Sequence, residues 1–166
     1  MVTHQYDEIG REVSVSSPLG DTVSTKYLVS QIDGSNQTIK TNPLGYTLSI
    51  DYNALAQPIK VTDNDGRVIE TDKYDSMGKV VSKTDMLGNI TTMTYDEFGR
   101  QLSTTDPLNN KQVVSYDDSN LSQKVYSNGQ LSSTKVMDGV GNVLSSTTYN
   151  ANGDSKSVTN SYDGFG

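Results

Sequence analysis

Tyr74-Asp75-Ser76-Met77-Gly78-Lys79 is followed by Tyr95-Asp96-Glu97-Phe98-Gly99-Arg100 and then by Tyr116-Asp117. The leading tyrosines stand 21 residues apart in both intervals (95 − 74 and 116 − 95). Midway between them lie Asp85-Met86-Leu87-Gly88 and Asp106-Pro107-Leu108-Asn109. The chain therefore reverses about every ten or eleven residues, and a tyrosine leads every second reversal. A fixed period of this size is the signature of a repeat architecture.

Each element of the period has a physical reading. An aspartate at the first position of a type I turn accepts hydrogen bonds from its own backbone. Glycine at the fourth position enters the left-handed conformation that closes a hairpin with a bulge, and asparagine can substitute. Proline suits the second turn position because its φ is already set. Pro18, Pro43 and Pro107 all stand there, in Ser17-Pro18-Leu19-Gly20, Asn42-Pro43-Leu44-Gly45 and the Asp106 turn. Between turns run five to seven residues rich in Thr, Val, Ile, Ser and Tyr, such as Asn89-Ile90-Thr91-Thr92-Met93-Thr94-Tyr95. This is strand length and strand chemistry. No segment sustains a 3.6-residue apolar period. The spacing predicts an all-β fold: a long antiparallel meander of repeated β-hairpins in a curved single-layer sheet of about fifteen strands, roughly 70 Å long.

Outward from the centre the period continues and wears. Tyr6-Asp7-Glu8-Ile9-Gly10-Arg11 is a full copy, with Ser17 to Gly20 as its half-period partner. Tyr27 keeps the spacing but Leu28 replaces the aspartate, and a longer or bulged connection carrying Asp33-Gly34 is expected between Ser30 and Gln37. Gly45 restores the beat. Tyr52-Asn53-Ala54-Leu55-Ala56-Gln57 has alanine in the glycine place, which predicts a turn of changed geometry, since alanine at positive φ costs about 1 kcal/mol or more. Pro58 suits a strand start or an edge. Asp63-Asn64-Asp65-Gly66-Arg67 returns to register. Beyond Tyr116, Asp117-Asp118-Ser119-Asn120 puts asparagine in the glycine place, and the turns at Asn128-Gly129, Asp138 and Asn150 are more widely spaced. An aliphatic residue follows each turn glycine by two or three places, as Val13, Val23, Leu48, Ile69, Val81, Ile90, Leu102 and Leu144 do. With the tyrosines these would make one face modestly apolar and leave Thr, Ser, Lys and Gln on the other.

The Tyr-Asp-x-x-Gly-Arg motif, followed by Asp-x-x-Gly half a period later, resembles the YD or Rhs repeat. The resemblance extends over nearly the whole chain, 1–166, with well-matched repeats at about 63–117 and degenerate ones at 27–57 and 118–161. Related repeats build the shells of bacterial Rhs polymorphic toxins, the B and C components of insecticidal Tc toxin complexes, and the animal teneurins. The resemblance implies a non-catalytic segment of a shell, in a large secreted or cell-surface bacterial protein, that encloses a toxin or other passenger polypeptide. The partners it implies are adjoining shell repeats and an enclosed C-terminal passenger. Both ends of the sheet would be open edges, with edge-strand self-association as one consequence. The motif ending at Gly166 suggests a piece of a longer protein. The alternative is an extracellular adhesion module that binds glycan or protein through tyrosines and threonines of the sheet surface.

Composition narrows the field. One third of the 166 residues is hydrophobic, with ten tyrosines, two phenylalanines and no tryptophan, so a thick core is out of reach. There is no cysteine, and therefore neither a disulfide nor a thiol nucleophile. A net charge of −7 argues against nucleic acid as a partner. No apolar run approaches the ~20 residues of a membrane-spanning helix, and no membrane insertion is expected of this segment.

Candidate chemistry resolves into turn chemistry. Tyr6/Asp7, Tyr74/Asp75, Tyr95/Asp96, Tyr116/Asp117 and Tyr162/Asp163 form a spread series, whereas catalysis needs one converging set, so no catalytic residue is assigned. Asp63-Asn64-Asp65-Gly66 resembles a calcium loop only briefly, because counting back from Gly66 puts Val61 at the first ligand place; neither a metal nor a cofactor is expected. His4, the one histidine, is expected to be solvated. Arg11, Arg67, Lys79 and Arg100 each follow a turn glycine and could pair with turn carboxylates. The positions assigned structural roles are thus Tyr6, Asp7, Gly10, Arg11, Gly20, Gly45, Tyr52, Gly66, Tyr74, Asp75, Gly78, Asp85, Gly88, Tyr95, Asp96, Gly99, Arg100, Asp106, Tyr116 and Asp117.

Overall fold

Strands and tight turns are all that the described residues form. A computed structural model describes residues 1–29 and 35–162. The chain divides into two units, Met1–Ile90 and Thr91–Gly166. The first holds β1 (Thr3–Tyr6), β2 (Glu12–Ser16), β3 (Thr22–Val29), β4 (Asn36–Thr41), β5 (Thr47–Tyr52), β6 (Pro58–Thr62), β7 (Val68–Tyr74) and β8 (Val80–Asp85). The second holds β9 (Ile90–Tyr95, its first residue closing the first unit), β10 (Gln101–Thr105), β11 (Lys111–Asp117), β12 (Ser122–Ser127), β13 (Gln130–Met137), β14 (Val143–Tyr149) and β15 (Ser155–Thr159). Within each unit the strands are antiparallel and lie in chain order. The all-β meander expected from the turn spacing is what forms.

One hydrogen-bond pattern makes most of the reversals. The first turn residue donates its N–H to the carbonyl of the fifth, and the fourth donates to the carbonyl of the first. At Asp96 these bonds are 2.9 Å to Arg100 and 3.0 Å from Gly99. The same pair recurs at Asp7, Ser17, Asn42, Asn53, Asp63, Asp75, Asp85, Asp106, Asp138 and Asn150. The fourth residue is left-handed throughout, as Gly99 is with φ of 75°. This is the three-residue hairpin loop, a type I turn closed by a left-handed bulge residue.

Three connections depart from expectation. Ala56 does not change its turn: it takes φ of 58° and keeps both bonds, 2.9 Å from Asn53 to Gln57 and 3.0 Å back to Asn53. The pairing of β6 with β5 on one side and β7 on the other over-determines the reversal, and the alanine accepts the strain. In the Asp117 turn the left-handed residue is Leu121 (φ 47°) and not Asn120, because Asp117 pairs with Ser122 and the loop grows by one residue. Between β12 and β13 the loop shrinks to Asn128-Gly129, both at positive φ, which is the two-residue hairpin of Asn-Gly. The expected irregular connection at Asp33-Gly34 lies outside the described residues.

The register sets the faces. In the first unit Tyr27 opposes Thr38, Thr38 opposes Ile50, and Ile50 opposes Val61. Thr38 is buried because it lies between the Tyr27 ring and Ile50. Val61 is paired with Glu70, so Ile69, expected on this face, belongs to the other. In the second unit Val114 opposes Val125, and Ser103 is buried between Thr94 and Val113. Val114 is the one buried hydrophobic side chain among the described residues, while Val23, Leu48, Ile90 and Leu144 stay exposed. Both edge strands are exposed along their length, β1 and β15 alike.

The strain at Ala56 is measurable. Ala56→Gly should stabilise the protein by about 1 kcal/mol, and Gly88→Ala, at φ of 81° with open space around the new methyl, should cost a similar amount. Urea unfolding of both variants checks the pair; a destabilised Ala56→Gly would contradict it.

Candidate functional site: the repeat latch

The candidate site is a structural constellation repeated along the chain, built around the turn carboxylate. Asp96 Oδ1 accepts the N–H of Phe98 at 3.0 Å and of Arg100 at 2.8 Å, while Oδ2 accepts Arg100 Nε at 2.7 Å. Asp7 and Asp63 hold Ile9 with Arg11 and Asp65 with Arg67 in the same way. Where the fifth residue is asparagine, its side-chain amide returns to the first residue instead. Asn89 does so to Asp85, Asn110 to Asp106 and Asn142 to Asp138, at 2.8, 2.8 and 2.9 Å. A fifth residue with a planar N–H group therefore closes the turn on its outer side. Lys79 lacks that plane, and donates its backbone N–H to Asp75 at 2.9 Å.

These bonds favour the ionised carboxylate. Backbone N–H groups, first that of Arg11 and that of Arg67, hold Asp7 and Asp63 below the usual carboxylate value. The amides of Asn89 and Asn110 lead the same effect on Asp85 and Asp106. Asp117 falls furthest, to about 2, through the Asn120 amide and then the Ser119 hydroxyl.

The fifth residue also reaches the next period. The Arg11 guanidinium lies 4.2 Å from the centre of the Tyr27 ring, and that of Arg100 lies 4.2 Å from the Tyr116 ring. Arg100 additionally clasps Asp118 with both terminal nitrogens, at 2.6 and 3.1 Å. In the worn copy Gln57 takes this place: it accepts from Asn53 Nδ2 at 2.8 Å and donates to the Gly78 carbonyl at 3.0 Å. A methyl on Gly78 would meet Gln57 Nε2 at 2.8 Å, a flexible side-chain end that would have to give up its bond or shift, so it is the φ of 79° that chiefly calls for glycine there.

The tyrosines complete the latch. Tyr27 donates its hydroxyl to the Glu12 carbonyl at 3.1 Å, Tyr74 to Pro58 at 2.7 Å, Tyr116 to Gln101 at 3.2 Å and Tyr162 to Val143 at 3.0 Å. Each acceptor directly follows the fifth residue of the preceding turn: Arg11, Gln57, Arg100 and Asn142. The tyrosine of one repeat is thus seated on the closing residue of the repeat before it. Sequence reasoning identified the members but not this contact, although the step of 16 or 17 residues from Arg11, Gln57 and Arg100 to the next tyrosine was a readable signal; from Asn142 to Tyr162 the step is 20.

Other candidates sit as follows. His4 is exposed, as expected, with Nδ1 2.7 Å from Glu12 Oε2 and its ring stacked on Tyr6. Asp63 and Asp65 both pair with Arg67, at 2.8 and 3.0 Å, which commits the supposed calcium loop to an arginine. Lys83 bridges Glu70 at 2.9 Å and Asp72 at 3.3 Å, while Asp72 Oδ1 is buried without a hydrogen-bond partner.

Comparison with protein families matches residues 74–111 to the RHS Repeat. The chain thus carries an RHS repeat across the stretch where the Tyr-Asp motif is best kept, in agreement with the resemblance read from the sequence. Among solved structures it is similar to the crystal structure of TcdB2-TccC3-Cdc42, at 15% identity and a TM-score of 0.49, covering 98% of this chain and 12% of that one. It is similar also to TcdB2-TccC3 without the hypervariable C-terminal region, at 16% identity and a TM-score of 0.46, with the same coverage. The chain spans about 12% of the length of these solved chains. Curated proteins yield no match.

Two predictions test the latch. Tyr116→Phe and Arg100→Met should each destabilise by about 1 kcal/mol, and a double-mutant cycle should give a coupling of about 0.5–1 kcal/mol. A coupling of zero in urea unfolding would deny the contact. The second concerns pH. The turn carboxylates bind protons less readily folded than unfolded, so their contribution is full above the unfolded pKa of about 4 and is lost as pH falls towards 2. The urea midpoint should hold steady above about pH 5 and drop between about pH 4 and 2; a flat profile down to pH 2 would contradict this.

Proposed function

We propose that this chain is a non-catalytic segment of an Rhs-type shell, spanning residues 1–166, within a large secreted or cell-surface bacterial protein, where it helps to enclose a toxin or other passenger polypeptide. The carrying observation is the latch between repeats. Arg11 with Tyr27 and Arg100 with Tyr116 make the same contact at the same 4.2 Å, so each repeat is complete only when the next is seated on it. Such a unit builds a wall by addition, and each exposed edge strand offers the ladder for a further strand.

The near absence of a core supports the same reading. A passenger held without being glued in place calls for a surface of short hydroxyls and half-exposed aliphatic groups. A buried converging set of acids and bases would serve an enzyme, whereas Asp7, Asp63, Asp85, Asp96, Asp106 and Asp138 are spent on their own turns. The RHS repeat at 74–111 adds to this reading. The partners proposed are the adjoining repeats of the parent chain and its passenger.

The test is protease protection in the intact parent protein. The passenger should resist limited proteolysis while the parent is folded and become cleavable once about half of the sheet is unfolded by urea. Cleavage of the passenger at the rate of the same segment expressed alone would overturn the proposal.

A further inference from the structure

Arg11 and Arg100 begin alike and end differently. Each donates Nε to its own turn aspartate at 2.7 Å, and each guanidinium lies 4.2 Å from the centre of the next tyrosine ring. Arg100 then commits both terminal nitrogens to Asp118, at 2.6 and 3.1 Å. Asp118 stands two residues after Tyr116, whereas the residue two places after Tyr27 is Val29. Among the described residues no acceptor takes the terminal nitrogens of Arg11, and its side chain is 43% exposed against 34% for Arg100. Arg11 lines a cavity of about 360 Å³ together with Tyr27, Val29, Thr38, Tyr52 and Ala56. It is the one charged residue of that lining. The volume lies within the roughly 300–1,000 Å³ of small-ligand sites.

We infer that this cavity binds a carboxylate carried on an apolar stem, held by the Arg11 fork as Asp118 is held by Arg100. Three features select this class. The fork is preorganised, because the bond from Nε to Asp7 and the Tyr27 ring together fix the guanidinium plane, and little freedom remains to be lost when a ligand docks. Charge selects an anion. The Asp7 carboxylate is already taken by the backbone N–H groups of Ile9 and Arg11 and by Arg11 Nε, and the lining holds no acid. A planar anion with two oxygens matches two parallel N–H groups. The walls select the stem. Val29, 57% exposed, stands with Ala56 and the Tyr52 ring as apolar surface that an inorganic anion would leave wet and a hydrocarbon stem would cover. A free aliphatic or aromatic acid and the last residue of a peptide both present this group. The site goes beyond wall building, since it uses the terminal nitrogens that the contact with Tyr27 leaves open.

The test is titration of the isotopically labelled chain with N-acetylphenylalanine, 3-phenylpropionate, N-acetylphenylalaninamide and inorganic phosphate, each at millimolar concentration, followed by chemical shifts of the amides and of the Arg11 side chain. Both acids should shift Arg11, Tyr27, Val29 and Thr38 in a saturable way, and the amide should not. Tighter binding of N-acetylphenylalanine assigns the site to a chain end and tighter binding of 3-phenylpropionate to a free acid; both results support the shared chemistry. Val29→Asp supplies the carboxylate that Asp118 supplies to Arg100, so it should raise the urea midpoint and weaken acid binding by about tenfold or more. Val29→Asn, of the same shape without the charge, should keep the affinity within about twofold. No saturable shift with either acid, equal shifts with the amide, phosphate bound as tightly as the acids, or binding unchanged in Val29→Asp would overturn the assignment. The comparison of acid with amide on the unaltered chain decides the matter should a substituted chain not fold. Each of these failures would leave passenger protection in the parent protein untouched.

Discussion

A side-chain oxygen that captures its own backbone is the contact on which this structure rests. At Asp7, Asp63, Asp96 and their equivalents, one carboxylate oxygen takes two N–H groups that the tight reversal has turned away from the strand ladder. Without it, those donors would depend on water at every bend. With it, the bend is specified within five residues, needs no distant partner, and can be repeated indefinitely. The left-handed fourth residue is the matching steric condition, and glycine meets it at no cost.

Local specification of bends explains how so thin a sheet can form. Among the described residues almost nothing is fully buried, so burial of apolar surface cannot define the register as it does in a globule. The turns define it instead, because each fixes which residues stand opposite across the hairpin. The Arg–Tyr contact and the tyrosine-to-carbonyl bond then carry that order from one period to the next. A cation over an aromatic face and a neutral hydrogen bond are each worth about 1 kcal/mol, but they recur with the repeat. Stability is therefore distributed, in the manner of repeat proteins.

The legible part of the fold is the part that is local. The Asp-x-x-Gly spacing yields the reversals, the strand lengths and the antiparallel order, since each turn is decided by residues adjacent in sequence. Ala56 was misread because local propensity was allowed to outvote the strands that pair on both sides of it. The left-handed place of the Asp117 turn falls on Leu121 and not on Asn120 because its position in a four-residue loop depends on the Asp117–Ser122 register, which composition does not encode. The latch was legible in membership and illegible in contact. Tyr27 and Glu12 are brought together by the sheet, and only the near-equal steps from Arg11, Gln57 and Arg100 to the next tyrosine betray it. Ile69 fell on the other face because an extra residue in β7 shifts the alternation against β6.

The fifth turn residue shows how a structural repeat can acquire differences without losing its architecture. The backbone of the turn needs an acceptor at the first place and left-handed freedom at the fourth. The fifth is held only through its N–H and carbonyl, so its side chain is free to vary. Arginine there closes the turn, and at Arg11 and Arg100 it also reaches the next tyrosine; asparagine closes the turn alone; glutamine joins neighbouring turns; tyrosine at position 46 does none of these. Because the N–H of Tyr46 still reaches Asn42 as that of Arg100 reaches Asp96, the exchange costs the fold little while it changes what the surface presents. Diversity in such a wall should therefore concentrate at the residue after the turn glycine, where the backbone tolerates it and the neighbouring period feels it.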